Sequence, residues 1–265
     1  MKKQLLLPPF LLAGALLSSC AVLYVPTTPS TPLLEKGQVE VTAGLRGLRY
    51  AEVGAAWSPL PHVLVTGELA ADIAKSTAST TNSQGVTENY SDSHRQGGMG
   101  LGLYRPTSTT RRTYLAVMGG IGWGHTNFFA FDDYKPASVF FPFPLPTRQG
   151  VYDAKYRRYY GQLYLASPPD NDGPQYGASL RSVWVDYTKL TYADQRIVPS
   201  NRLFVEPSVF LRFGHGALRW YTTAGYSLPI NRDPANPANG RTSSRSYLLS
   251  GGIILRPDLL KRPRD

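Results

Sequence analysis

Apolar and polar residues alternate one by one through most of this chain, a period that fits strands with two unlike faces. Val39, Val41, Ala43 and Leu45 alternate with Gln38, Glu40, Thr42, Gly44 and Arg46. Ala51, Val53, Ala55 and Trp57 alternate with Tyr50, Glu52, Gly54 and Ala56. The same pattern returns over 63–72, 96–104, 114–123, 158–165, 203–213, 218–228 and 246–255. Residues 176–187 also read as a strand, with faces that the pattern does not assign. The result is about ten strands, mostly as long as the roughly 9 to 11 residues a membrane-crossing strand needs. No sustained helical periodicity competes with this reading.

Two ten-stranded objects share such alternation. A soluble barrel or sandwich turns its apolar face inward, whereas an outer-membrane barrel turns it to lipid and lines its lumen with the polar face. Composition favours the second. Only 17% of residues are charged, against roughly 25% in an ordinary soluble domain. The predicted strands hold almost no lysine, and Lys155 stands at an edge. Their polar faces carry Gly, Ser, Thr and Tyr with a few charges of both signs. Glu40, Glu52, Glu68 and Glu206 are matched by Arg46, Arg158, Arg212 and Arg219, a set that suits pairing inside a narrow lumen.

Links between the strands alternate in length, as barrel turns and outer loops do. Short links fall at 58–61, 106–111, 167–174 and 214–216, and long ones at about 73–90, 125–154, 189–200 and 231–242. Only the first link on the long side, 47–49, is short. Both ends of the barrel domain then lie on the short-turn side.

Residues 1–19 read as an export signal, with Lys2 and Lys3 ahead of an apolar run over 5–17. That run is too short to span a bilayer, which takes about 17 to 25 residues, and Pro8-Pro9 interrupts it. Leu17-Ser18-Ser19-Cys20 resembles the lipobox of bacterial lipoproteins, in which the cysteine becomes the acylated N-terminus. Cys20 is the one cysteine of the chain, so an intramolecular disulfide is excluded. The proline- and threonine-rich stretch after it favours extended chain with no core of its own. Residues 20–37 therefore read as lipid anchor and tether, 38–256 as the barrel, and 257–265 as a tail.

Tyr24-Val-Pro-Thr-Thr-Pro-Ser-Thr-Pro-Leu-Leu-Glu-Lys-Gly-Gln38, together with the later FVEPSVFLRFG and WYTTAGYSLPIN, resembles small lipidated β-barrel proteins of Bacteroidota. The resemblance implies a barrel fold and an outer-membrane address, and no reaction. The link pattern, which puts both barrel ends on the short-turn side, leads to the expectation that the lipid on Cys20 lies on the periplasmic side. Such barrels usually finish on an aromatic residue of the last strand. Here 256–265 follow the last strand, which keeps a periplasmic, membrane-tethered barrel with a hydrophobic ligand as the alternative. An outer-membrane hydrolase is a third reading.

Little in the sequence points to catalysis. His62, His94, His125 and His215 lie in separate segments. Ser91-Asp92-Ser93-His94 cannot converge on one strand, because adjacent side chains point to opposite faces. No metal-ligand spacing is present, and no cofactor is expected. The glycines at 97, 98, 100 and 102 lack the strand-to-helix context of a nucleotide fingerprint. The net charge of +10 comes without a basic run interleaved with aromatics. Nucleic acid is therefore not expected as a partner, and anionic lipid is the better match. Phe128, Phe129, Phe131, Phe140, Phe141 and Phe143 crowd the longest predicted link. They suggest either a cap over the barrel mouth or a binding loop, since exposed aromatic clusters mark contact sites. The expectation is a lipid-anchored outer-membrane barrel with a structural or binding role, held to membrane lipid through Cys20 and its own exterior.

Overall fold

The computed structural model describes residues 23–74, 77–81, 87–106, 113–135, 145–167, 173–192, 194–198, 203–230 and 246–260. Cys20 and Phe140, Phe141 and Phe143 lie outside them.

The alternating segments form β1 (Val39–Arg46), β2 (Tyr50–Trp57), β3 (Val63–Asp72), a hairpin of β4 (Thr77–Thr81) and β5 (Thr87–Ser91), then β6 (Ser93–Pro106). They continue as β7 (Tyr114–Lys135), β8 (Leu145–Ala166), β9 (Gln175–Tyr192), the short β10 (Gln195–Arg196), β11 (Leu203–Phe213), β12 (Leu218–Ile230) and β13 (Ser246–Leu255). A four-residue helix, Pro257–Leu260, follows. Each barrel strand pairs antiparallel with its sequence neighbour, and β1 pairs with β13 to close the ring. The fold is thus an up-and-down barrel of ten strands, with β10 as an extra strand on β9. Closure removes the open edges that would otherwise template aggregation.

The walls are unequal. β7 and β8 run 22 residues each and β9 runs 18, whereas β1 and β2 have 8 apiece. The link expected over 125–154 is therefore mostly strand. Asn127 to Phe131 pair with Asp153 to Gln149 across β7 and β8, and Leu145 and Pro146 still pair with Lys135 and Tyr134. At the long-link end the β1–β2 turn is tight, with φ of 56° at Gly47 and 58° at Leu48. Two consecutive positive values are what a type I′ hairpin turn requires.

The faces sort as the alternation predicts. Leu101, Leu163 and Leu249 are 62%, 43% and 40% exposed, and Val39 is half-buried. Inside lie Glu40, Glu52, Gln96, Arg158, Gln162, Arg181, Glu206 and Arg212, all buried. In β9 the inward residues are Ser179, Arg181, Val183 and Val185, and the outward ones include Leu180, Ser182 and Trp184. Both faces mix polar with apolar side chains, which is why 176–187 resisted assignment from sequence. The glycine run is a matter of space. A Cβ at Gly100 or Gly120 would collide with Tyr160, and one at Gly124 with Tyr156. These inward glycines admit the large tyrosines of β8.

Candidate functional site

The lumen is occupied by the chain's own N-terminal segment. Residues 23–34, expected to form a spacer outside the fold, run through the barrel and are buried almost throughout. Leu23 packs with Phe128, Tyr152, Ala154, Leu190 and Tyr192 at the long-link end. Tyr24 meets Tyr156, Val183, Val185 and Phe204 below it. Leu33 and Leu34 reach Tyr104, Tyr114, Tyr164 and Ala166 at the short-turn end, from which the chain turns into β1.

The chemistry of the segment explains why it can lie there. Extended proline-rich chain makes no internal hydrogen bonds, so its buried carbonyls need partners from elsewhere. The wall supplies donors in order down the barrel. Gln96 Nε2 donates to Val25 O at 2.9 Å, Gln162 Nε2 to Ser30 O at 2.7 Å, Tyr164 Oη to Pro32 O at 2.7 Å and Tyr114 Oη to Leu34 O at 3.2 Å. Arg181 and Arg212 donate to the carbonyls of Thr27 and Thr31. Pro26, Pro29 and Pro32 have no N–H to satisfy, and the amide of Thr28 donates to Glu52 Oε1 at 3.2 Å.

Buried charges meet around the same segment. Arg212 pairs with Glu40 at 2.9 Å, Arg46 with Glu52 at 2.9 Å, Arg181 with Glu206 at 2.6 Å, and Arg158 with Glu68. The carboxylates are those expected from sequence, but Arg181, not Arg219, completes the set, because it sits on the strand whose faces were unassigned. Thr27 is the hub. Its Oγ1 accepts from Arg158 Nη1 at 2.7 Å and Arg181 Nη1 at 3.2 Å, and donates to Glu68 Oε2 at 3.4 Å. Tyr24 Oη and Ser227 Oγ donate to Glu206 Oε1 at 3.1 and 3.0 Å. Such pairs tolerate burial only when geometry and extra hydrogen bonds offset desolvation. The segment supplies several of those bonds, although Arg46 Nη2, Glu52 Oε2 and Arg158 Nε have no partner among the described residues. A cavity of about 60 Å³ remains beside Thr28, Glu40, Glu52, Arg212, Tyr221 and Thr223. It has room for a few waters.

The histidines do not come together. His94 points inward, its Nδ1 2.8 Å from Thr126 Oγ1. His125, on the outer face, has Nε2 2.8 Å from Asp153 Oδ1. His62 and His215 lie in short turns at the opposite end. Ser93 is exposed, and Asp92 accepts from Arg49 and from the amide of Phe129. No group of three or more metal-ligating side chains occurs among the described residues. At the lower mouth Arg256 donates to Asp258 at 3.1 and 2.9 Å. Burial raises the Asp258 carboxyl, but the guanidinium outweighs it and leaves the group below its ordinary value.

Of the aromatic set, Phe128 is buried in the upper core and stacks on Tyr152 at 5.1 Å, while Phe129 is half-buried. Phe131 also belongs to β7, so these three are strand rather than loop. Tyr24, Thr27, Gln96, Gln162, Tyr164 and Arg181 were not singled out from sequence as a set. Their signal is a surplus of Arg, Gln and Tyr donors on the polar faces, facing a proline-rich segment full of acceptors. Comparison with protein-family models, curated proteins and solved structures finds no match to the chain.

Proposed function

We propose that the protein is a lipid-anchored outer-membrane β-barrel that is closed by its own N-terminal segment and has a structural or binding role rather than a conducting one. The observation that carries this reading is the inversion of the two faces. Val53, Val65, Leu101, Val117, Leu163, Leu180, Val209 and Leu249 are exposed around the ring, while Glu40, Arg46, Glu52, Arg158, Arg181, Glu206 and Arg212 are buried inside. A soluble barrel would hold these the other way round. Aromatic residues flank the apolar surface. Trp57, Tyr176, Phe213 and Trp220 stand toward the short-turn end, and Trp123, Trp184, Tyr226 and Tyr247 toward the other. Tyr176 and Trp184 are about 26 Å apart along β9 at ~3.3 Å per residue. With a strand tilt of ~40° that is about 20 Å along the axis, close to the ~25 Å apolar band of membrane barrels. A polar, filled lumen also gives no support to a hydrophobic ligand inside.

The threading bears on the anchor. Leu23 lies at the long-link end, three residues after Cys20 in the sequence. An acyl group on Cys20 would then meet the leaflet at that end, not the leaflet at the end where β1 begins. If the long links face outward, as in bacterial barrels, the lipid is on the outer leaflet.

Metabolic labelling with a fatty-acid analogue tests acylation. The wild type should be labelled and Cys20→Ser should not; equal labelling of both would remove the anchor from the account. Insertion is tested separately. Unacylated mature protein refolded with phosphatidylcholine vesicles should become resistant to alkaline extraction, and complete release would contradict the membrane reading.

A further inference from the structure

Outside the barrel, the charges are unevenly placed. On β6, β7 and β8 the first charged or titratable outward residue above the apolar run is basic. Beyond Met99 and Gly97 comes Arg95, beyond Ile121 and Trp123 comes His125, and beyond Tyr159 come Arg157 and Lys155. On β9, Lys189 follows Trp184 and Asp186. Register puts them side by side, with Arg95 opposite His125, His125 opposite Lys155, and Lys155 opposite Lys189. The other walls are different at this level. The outward residues near the upper ends of β1, β2, β3, β11, β12 and β13 are Leu45, Ala51, Ala71, Leu203, Ile230 and Tyr247.

Two carboxylates lie within the patch. Asp153 holds His125 at 2.8 Å and Lys189 at 2.5 Å, and Asp186 opposes Arg157 in register. Arg95, Lys155 and Arg157 are exposed and have no ion pair among the described residues. They rim a groove of about 720 Å³ with Leu69, Gly97 and Trp123 along its apolar side. A Cβ at Gly97 would press on Leu69 and Trp123 at 3.0 and 3.4 Å, so glycine there keeps the groove deep.

An apolar floor with a cationic rim has the polarity of a lipid: hydrocarbon toward the band, phosphate toward its edge. We infer that this groove binds a phosphate-bearing membrane lipid of the leaflet at the long-link end, with Arg95, Lys155 and Arg157 holding the phosphate. The inference rests on the membrane reading above. Arginine forks suit phosphate oxygens, and each basic residue near a charged lipid surface contributes about a fivefold gain in affinity.

The test uses full-length mature protein in neutral detergent micelles, titrated with pyrene-labelled phosphatidic acid and read by energy transfer from tryptophan. Replacing Arg95, Lys155 and Arg157 together by Gln should weaken binding by about 100-fold. Should that protein not fold, Arg157→Gln alone should weaken it by about fivefold. Labelled phosphatidylcholine should bind far more weakly, and inorganic phosphate at equal concentration should not compete. Unchanged affinity in the variants, or equal binding of phosphatidylcholine, would overturn the inference. Competition by inorganic phosphate would mark a free-anion site instead. Failure of the unmodified protein to insert into phosphatidylcholine vesicles would strike at the membrane reading itself. Insertion with no preference for phosphatidic acid would strike only at the groove.

Discussion

Arg158 and Tyr159 are neighbours on one strand and face opposite sides of the barrel wall. Arg158 is wholly buried, bonded to Glu68 and Thr27. Tyr159 is 42% exposed among apolar side chains on the outside. The same contrast repeats round the barrel, and it separates two sources of stability. The inner face is fixed by directional bonds between the wall and the threaded segment. The outer face makes few contacts within the chain and depends on what surrounds it. An inner substitution should therefore be costly in any environment, and an outer one only in lipid.

The largest effect is expected at the inner pairs. Arg181→Met leaves Glu206 buried without its cation, and should cost about 3 to 5 kcal/mol in denaturant titrations. A second change, Glu206→Gln, should recover part of that loss. If the single variant proves harmless, the buried network contributes little.

The outer face comes next. Leu163→Arg should cost about 2 to 4 kcal/mol in vesicles if it lies near the bilayer midplane. The measurement that sharpens the contrast is the same variant in detergent, where the headgroup can be solvated and the loss should shrink.

The threaded segment is third. Thr27→Val removes an acceptor shared by Arg158 and Arg181 and should cost about 1.5 to 3 kcal/mol, the range for bonds to charged groups. A fully conducting pore in planar bilayers would mean that the segment leaves the lumen altogether. A small conductance change with lowered stability fits an interior bond lost in place.

Smallest is Ser250→Ala. Ser250 is buried, but its Oγ has no partner among the described residues, so a change of under about 1 kcal/mol is expected. A loss as large as that at Arg181 would contradict the distinction between bonded and merely enclosed polar groups.

Much of the barrel was legible because one face of each strand meets one environment. Val39 to Leu45, Leu115 to Trp123 and Leu249 to Ile253 needed only a period of two and the scarcity of lysine. Where a face meets two environments, the reading failed. Val183 and Val185 point inward because they pack on Tyr24 and Phe204, a partner that local periodicity cannot reveal. Phe128 and Phe129 are both aromatic yet face opposite ways, so the alternation of β7 is lost in its upper part. The threaded segment was hidden for another reason. A proline-rich stretch looks the same whether water or a polar lumen surrounds it, and only the donor-rich wall tells them apart.

Whether the outward face of the sheet meets lipid is measured directly by cysteine scanning along β8. In a Cys20→Ser background, single cysteines at positions 159 to 166 would be labelled with a bimane fluorophore and reconstituted with acyl-chain-brominated lipids. Strong quenching is predicted at 159, 161, 163 and 165, with little at 160, 162, 164 and 166. Quenching without a period of two, or strongest at the even positions, would contradict the outward apolar face and the membrane reading with it.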